Sequence, residues 1–251
     1  MEQISAVIIV KNEEQNIARC LKSISWMEEI VVLDTGSTDE TVNICKNYGA
    51  KVYYLDQWEG FGKAKQQAVD LATFDWILSI DADEEISPEL ADSIQQVLKN
   101  PSEENGYRIK RQTWFLNRWI KHCGWNKDYP LRLFRKSKGR FNDNLVHESV
   151  QLQGKCGVLK TILKHYSYPT LDSHQEKLVF YARLWAEQKY EQNKQDNPCN
   201  AFFQAIFNFF SMYILKLGFL DGSAGFILCY NSTFSVWYKH IKLWELHQQN
   251  R

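Results

Sequence analysis

Trp76-Ile77-Leu78-Ser79-Ile80-Asp81-Ala82-Asp83-Glu84 is the stretch on which the fold turns. Five mostly apolar residues predict a buried strand, and acids where it ends put carboxylates at the rim of a sheet, where open α/β sheets bind ligands. Two aspartates one residue apart can hold a hard divalent cation, which keeps several waters and takes further oxygens from phosphate. The same acids suit the start of a helix, because Ser87-Pro88-Glu89-Leu90 follows. The stretch alone leaves both readings open.

Working outward, Ala6–Val10 reads as a first strand, and Ile17, Cys20, Leu21 and Ile24 recur at helical spacing. Ile30–Leu33 is a second strand ending at Asp34, followed by Ser37-x-x-Glu40, which has the form of a capping box opening a helix that Gly49 closes. Lys51–Leu55 is a third strand, and a loop with Gly60 and Gly62 leads to a helix over Lys63–Leu71. This alternation predicts a mostly parallel α/β sheet with flanking helices. Asn12-Glu13, Asp34 and Asp81–Glu84 all follow the C-terminal ends of predicted strands, so they share one ligand-facing edge. The middle third, rich in aromatics and arginine, reads as short strands and long loops. Trp114, Trp119 and Trp125 there offer either an aromatic platform for a ligand or core.

Lys plus Arg equals Asp plus Glu at 30 each among 251 residues. No global field therefore recruits nucleic acid, and any anion site is local. Six cysteines without C-x-x-C or zinc-like spacing read as reduced thiols of a cytoplasmic enzyme. The N-terminus has no signal-peptide pattern, since Ile4–Val10 runs straight into Lys11-Asn12-Glu13-Glu14.

Beyond Pro169 the pattern is helical, with Asp172 the expected N-cap. Residues 1–170 are expected to form the main domain, with a first half near 1–100 and a second near 101–170, and residues 171–251 a helical appendage. Ala201–Leu220 is apolar apart from a stripe of Gln204, Asn208 and Ser211, and with Lys216 it reads as an interfacial or docked helix rather than a lipid span. After the turn at Asp221-Gly222, an aromatic face with Lys239, His240 and Lys242 as a basic edge suits an anionic leaflet or a docked helical hairpin.

The opening Val7–Glu14, the block Val31-Val32-Leu33-Asp34-Thr35-Gly36-Ser37-Thr38-Asp39-Glu40-Thr41 and Asp81–Glu84 resemble the nucleotide-sugar domain of GT-A glycosyltransferases of family 2. The stretches Tyr129-Pro130-x-Arg132-Leu133-Phe134-Arg135, Val146-His147-Glu148, His165-Tyr166-Ser167 and Gly218–Gly225 extend the likeness, over essentially the whole chain, to bacterial lipopolysaccharide inner-core β-1,4-glucosyltransferases. The resemblance implies a GT-A sheet and an inverting transfer of glucose from UDP-glucose, with Mg2+ or Mn2+, to a heptose of a lipid-anchored glycan at the inner face of the inner membrane. It implies Asp83 as direct metal ligand with His165 completing the shell. Asp81 would hold the donor ribose or sugar, and Asp34, Glu13 and the adjoining Asn12 the nucleoside end.

Lys63 or Lys65 is a further candidate for a charge-assisted contact to the nucleotide. Arg132 and Arg135 are candidates for the diphosphate or a phosphorylated acceptor, because guanidinium groups grip such oxygens in pairs. Inversion needs a base on the face opposite the leaving group, for which Glu148 is the first candidate and His147 its rival. Two alternatives stand beside this reading. The same fold could use UDP-galactose or a UDP-N-acetylhexosamine on another cell-envelope glycan, or the chain could be an idle sugar-nucleotide-binding scaffold, against which the intact acidic set speaks.

Overall fold

The computed structural model describes residues 2–100, 102–142, 148–168 and 170–249 of the chain. In order, the elements are β1 (Ile4–Val10), α1 (Ile17–Ser23), β2 (Glu29–Asp34), α2 (Thr41–Asn47), β3 (Lys51–Tyr54), α3 (Phe61–Leu71), β4 (Trp76–Ser79), β5 (Glu84–Ile86) and α4 (Pro88–Lys99). They continue with β6 (Glu104–Phe115), β7 (Arg118–Trp119), β8 (Leu131–Arg135), β9 (Gly139–Phe141), β10 (Val150–Leu152), β11 (Lys155–Tyr168), α5 (Leu171–Glu191), α6 (Pro198–Phe210) and α7 (Gly222–Gln249). Two compact units result, one of residues 1–111 and 128–165, the other of 112–127 and 166–251. The expected boundary at 170 thus falls at 165, and the segment 112–127, placed above in the second half of the main domain, belongs with residues 166–251.

The first unit is built on a sheet of order β3-β2-β1-β4-β8-β6-β11-β5. Its β3-β2-β1-β4 part is parallel, and β8 then pairs antiparallel with β4 and β6. Alternation along β1 explains why both faces are covered. Ile4, Ala6, Ile8 and Val10 face a core completed by Ile17, Cys20, Leu21 and Ile24 around α1 and Leu90, Ile94 and Leu98 of α4. Val7 faces the other side with Ala64, Ala68 and Val69 of α3. Each fully buried large aliphatic side chain here stabilises the unit by about 1.5–3 kcal/mol.

The strand order also locates the crevice. β1, β2 and β3 lie side by side in sequence order, and the chain then returns across them to place β4 on the far side of β1. That reversal between β1 and β4 is the switch point at which α/β sheets open a ligand crevice. Val10 pairs with Asp34, and Val7 with Ser79. Asn12, Asp34 and Asp81 therefore lie past the same end of the strands, as the sequence predicts.

Some local expectations change. Thr170, not Asp172, caps α5, its hydroxyl accepting from Ser173 N at 3.1 Å. Ser37 caps no helix, because α2 begins after Glu40 and the Ser37 hydroxyl accepts instead from Asn12 N at 3.0 Å. The helix expected over Ala201–Leu220 breaks. α6 passes into a π-helical turn over Ser211–Leu215, Leu217 takes a left-handed φ of 55°, and a 3-10 turn spans Gly218–Asp221.

Close approach explains that break. A Cβ on Gly218 would lie 2.8 Å from Met212 O and 2.9 Å from Cys229 Sγ, and one on Gly225 only 2.8 Å from Asp221 Cβ. Beside this crossing the fully buried Asp221 accepts from His122 N at 2.8 Å and from Lys121 N at 3.2 Å, fastening the segment around Cys123 within the second unit. Among the described residues no single helix is long and apolar enough to cross a membrane. The run Pro198–Leu215 meets Gly218–Gln249 at a bend of 71°.

Candidate active site

The loops after β1 and β2 interlock at the crevice. Asn12 sits in the left-handed region at φ 55°, which a short amide side chain tolerates, and its Oδ1 accepts from Thr38 N at 2.8 Å. Asp34, buried, accepts from Gly36 N at 3.2 Å and Ser37 N at 3.1 Å, so the carboxylate closes a tight turn at the end of β2. Glu13 accepts from Asn16 Nδ2 at 2.9 Å, and its own N–H donates to Thr41 Oγ1 at 2.7 Å.

A charge cluster lies at the end of β4. Asp81 Oδ1 takes Lys65 Nζ at 2.9 Å and its Oδ2 takes Arg132 Nη2. Lys65 Nζ also contacts Glu148 Oε1 at 2.8 Å, so one buried ammonium of α3 joins the acid after β4 to the acid before β10. Arg132 Nη2 contacts Glu84 Oε1 at 2.7 Å, Arg111 Nη1 reaches the same oxygen at 3.2 Å, and Glu84 Oε2 accepts from Asp81 N at 3.0 Å. Burial alone would raise the Asp81 carboxyl, but the Arg132 and Lys65 charges hold it well below the usual aspartate range. Burial opposes charge on Lys65 as well, and Asp81 and Glu148 keep the ammonium above its ordinary value.

Antiparallel pairing of β11 with β5 sets His165 opposite Glu84, one residue from Asp83. His165 Nε2 stands 3.4 Å from Asp83 Oδ2, both side chains being partly buried. Among the described residues no group of three or more His, Cys, Asp and Glu is placed to hold a metal ion. The Asp83–His165 pair nevertheless fits the protein share of a shell whose other ligands are diphosphate oxygens and water, the pattern of hard divalent cations bound with phosphates.

The structure thus brings together Asp81, Lys65, Arg132 and Glu148, and separately Asp83 with His165. It also corrects one expectation. Arg135 pairs in register with Trp76, at the start of β4 and so at the opposite end of the strand from Asp81. There it binds Glu2 through two contacts of 2.8 Å and Asp75 at 3.2 Å, and stacks 4.5 Å over the Trp76 ring. Arg132 and Arg135 are three residues apart, so they occupy opposite faces of β8 about 10 Å apart along it, and they cannot serve one ligand. Lys63 pairs with Glu59 on the exposed side of α3. His147 lies outside the described residues. In the second unit Trp114, Trp119 and Tyr166 form one aromatic group, while Trp125 packs with Phe115, Tyr168 and the buried His174.

Glu84 and Arg111 are the residues that sequence reasoning missed. Glu84, expected as a polar residue near a helix start, is fully buried and organises both arginines and the Asp81 backbone. A third acid directly behind an Asp-x-Asp, two residues before the apolar Ile86, was the only available signal.

Comparison with known proteins gives the family and the fold. The family model described as Glycosyl transferase family 2 matches residues 5–167. An uncharacterised glycosyltransferase of Rickettsia typhi is 30% identical, over 100% of this chain and 90% of that protein. The lipopolysaccharide core biosynthesis glycosyltransferase LpsC of Rhizobium meliloti is 28% identical over 97% of this chain and 93% of its own. Among solved structures, TarS of S. aureus superposes with a TM-score of 0.50 at 16% identity, covering 99% of this chain and 92% of that one, a likeness of fold.

Proposed function

The chain belongs to glycosyltransferase family 2 and has the GT-A fold, and from that premise we propose that it transfers glucose from UDP-glucose to a heptose of the lipopolysaccharide inner core with inversion at C1. The contact of one buried lysine with both Asp81 and Glu148 carries this reading, because it sets a donor-side acid and a candidate base within reach of one reacting centre. The relationship to LpsC supports a core glycan as acceptor. Such an acceptor is lipid-anchored, and the enzyme would work in the cytoplasm at the inner face of the inner membrane.

In this scheme Asn12, Glu13 and Asp34 hold the nucleoside end, and Asp81 orients the ribose or sugar. Arg132 meets the diphosphate, since its buried Nε has no hydrogen-bond partner among the described residues and leaves one donor unspent. Glu148 takes the proton of the acceptor hydroxyl as that oxygen bonds to C1 and the bond from C1 to the diphosphate breaks, releasing UDP. Asp83 and His165 would hold Mg2+ or Mn2+, which when bound neutralises charge developing on the diphosphate.

The test is turnover of a panel of UDP-sugars with a heptose-containing acceptor, with and without chelator. Transfer from UDP-glucose, lost on chelation, is expected, whereas hydrolysis of UDP-galactose alone overturns the donor assignment. Glu148→Gln should bind donor and fail to transfer. Asp83→Ala should lose metal-dependent nucleotide binding.

A further inference from the structure

α6 is packed inside out. Ala201 and Ala205 are buried, whereas Phe203 and Phe207 are each 67% exposed, Phe210 57% and Leu215, on the π turn, 73%. Phe203, Phe207 and Phe210 are spaced four and three apart and so form one stripe along the helix. A helix of a water-soluble surface turns its phenylalanines inward, and a contiguous exposed row of this kind marks a surface that meets something apolar. Phe219 and Leu220, on the 3-10 turn at the bend, are also exposed. From Asn197 to Leu215 there is no charged residue.

The basic edge expected on α7 is spent inside the unit. His240 pairs with Asp196, Lys242 with Glu245 at 2.5 Å, and Lys239 lies 4.7 Å over the Trp185 ring. Cations stand elsewhere. Arg118 donates from Nη2 to Leu220 O at 3.4 Å, the backbone of Lys121 is held by Asp221, and Cys123 N donates to the carbonyl of Lys216 at 3.0 Å. Arg118, Lys121 and Lys216 are all exposed, so three positive side chains rim the bend that carries Phe219 and Leu220.

We infer that the α6 stripe and the bend after it form a monotopic docking surface for an anionic lipid bilayer, in which the phenylalanines enter the interface and Arg118, Lys121 and Lys216 meet lipid phosphates. An apolar row with a cationic rim and no acid along it has the charge complementarity that an anionic leaflet requires. The inference rests on the reading of a lipid-anchored acceptor only for its purpose. Vesicle binding requires neither donor nor turnover, so either reading can fail alone.

The experiment is flotation of the full chain with vesicles of phosphatidylcholine, with and without phosphatidylglycerol, alongside size measurement in their absence. The chain should float, more so with the anionic lipid. Phe203→Ser/Phe207→Ser/Leu215→Ser should lower partition about tenfold or more, and Lys121→Glu/Lys216→Glu should remove the preference for phosphatidylglycerol. Phe207→Ser alone, with an unchanged far-ultraviolet melt, separates a surface effect from misfolding. A chain that stays in the dense fraction, triple-variant flotation equal to that of the unaltered chain, or a charge-reversed variant that keeps the preference overturns the inference. A concentration-dependent dimer that the triple substitution abolishes, without vesicle binding, assigns the surface to a second copy instead.

Discussion

Lys65→Met removes the one ammonium that joins Asp81 to Glu148 while keeping the volume of the side chain. Removing one member of a buried ion pair costs about 3–5 kcal/mol, because the partner charge is left uncompensated. Here the lower end applies. Asp81 retains Arg132, and Glu148 keeps 19% of its side chain in contact with solvent. A loss of about 3 kcal/mol corresponds to about 6–12 °C in melting temperature for a chain of this size. The pH dependence checks the cause.

Asp81 is depressed in the folded state, so its contribution is fully present above the unfolded value near pH 4 and is lost as pH falls toward the folded one. In the unaltered chain this group therefore loses stability between pH 7 and pH 3, and in the variant, where Arg132 still holds the carboxyl down but Lys65 does not, it loses less. Urea unfolding of both proteins should therefore show a gap of about 3 kcal/mol at pH 7 that narrows as the pH falls to 3. A gap below about 1 kcal/mol at pH 7, or one that does not narrow in acid, refutes the reasoning.

Two further outcomes are expected. Arg135→Met should cost about 1–2 kcal/mol through loss of the Glu2 contacts and the Trp76 stack, and leave UDP affinity unchanged; titration calorimetry showing a clear loss of nucleotide binding would return this arginine to the site. Gly225→Ala should lower stability by about 1–3 kcal/mol, because its methyl meets the Gly218 backbone and Asp221 Cβ, and a thermal melt matching that of the unaltered chain contradicts the crossing described.

The parallel half of the sheet was legible because its strands are written as apolar runs that end in acid or amide, and because Gly49 and Ser87-Pro88 mark helix ends by local chemistry. Gly49 has φ 78°, and Ser87 Oγ accepts from Leu90 N at 3.2 Å. The residues that line the crevice were legible for the same reason. What stayed hidden depends on partners remote in sequence. Glu84 is read as a helix-start acid until Arg111 and Arg132, 27 and 48 residues on, are seen to converge on it. Arg132 and Arg135 look equivalent until the register with β4 assigns them to opposite ends. Lys239, His240 and Lys242 resemble a cationic face until Trp185, Asp196 and Glu245 engage them.

The grip of Asp221 on residues 121 and 122 has a bearing on how the polypeptide is made. The two ends of that clasp are 100 positions apart. Closing a loop of this length costs about 4 kcal/mol in chain entropy. During synthesis residues 121 and 122 emerge long before their acidic anchor exists, and their N–H groups wait without that partner until residue 221 has left the ribosome. A nonsense mutation or proteolytic cut just ahead of residue 221 would therefore do more than shorten the tail. It would withdraw the fastening of a segment already translated, and the cell's quality control would meet an open loop in the middle of the sequence rather than a clean terminus.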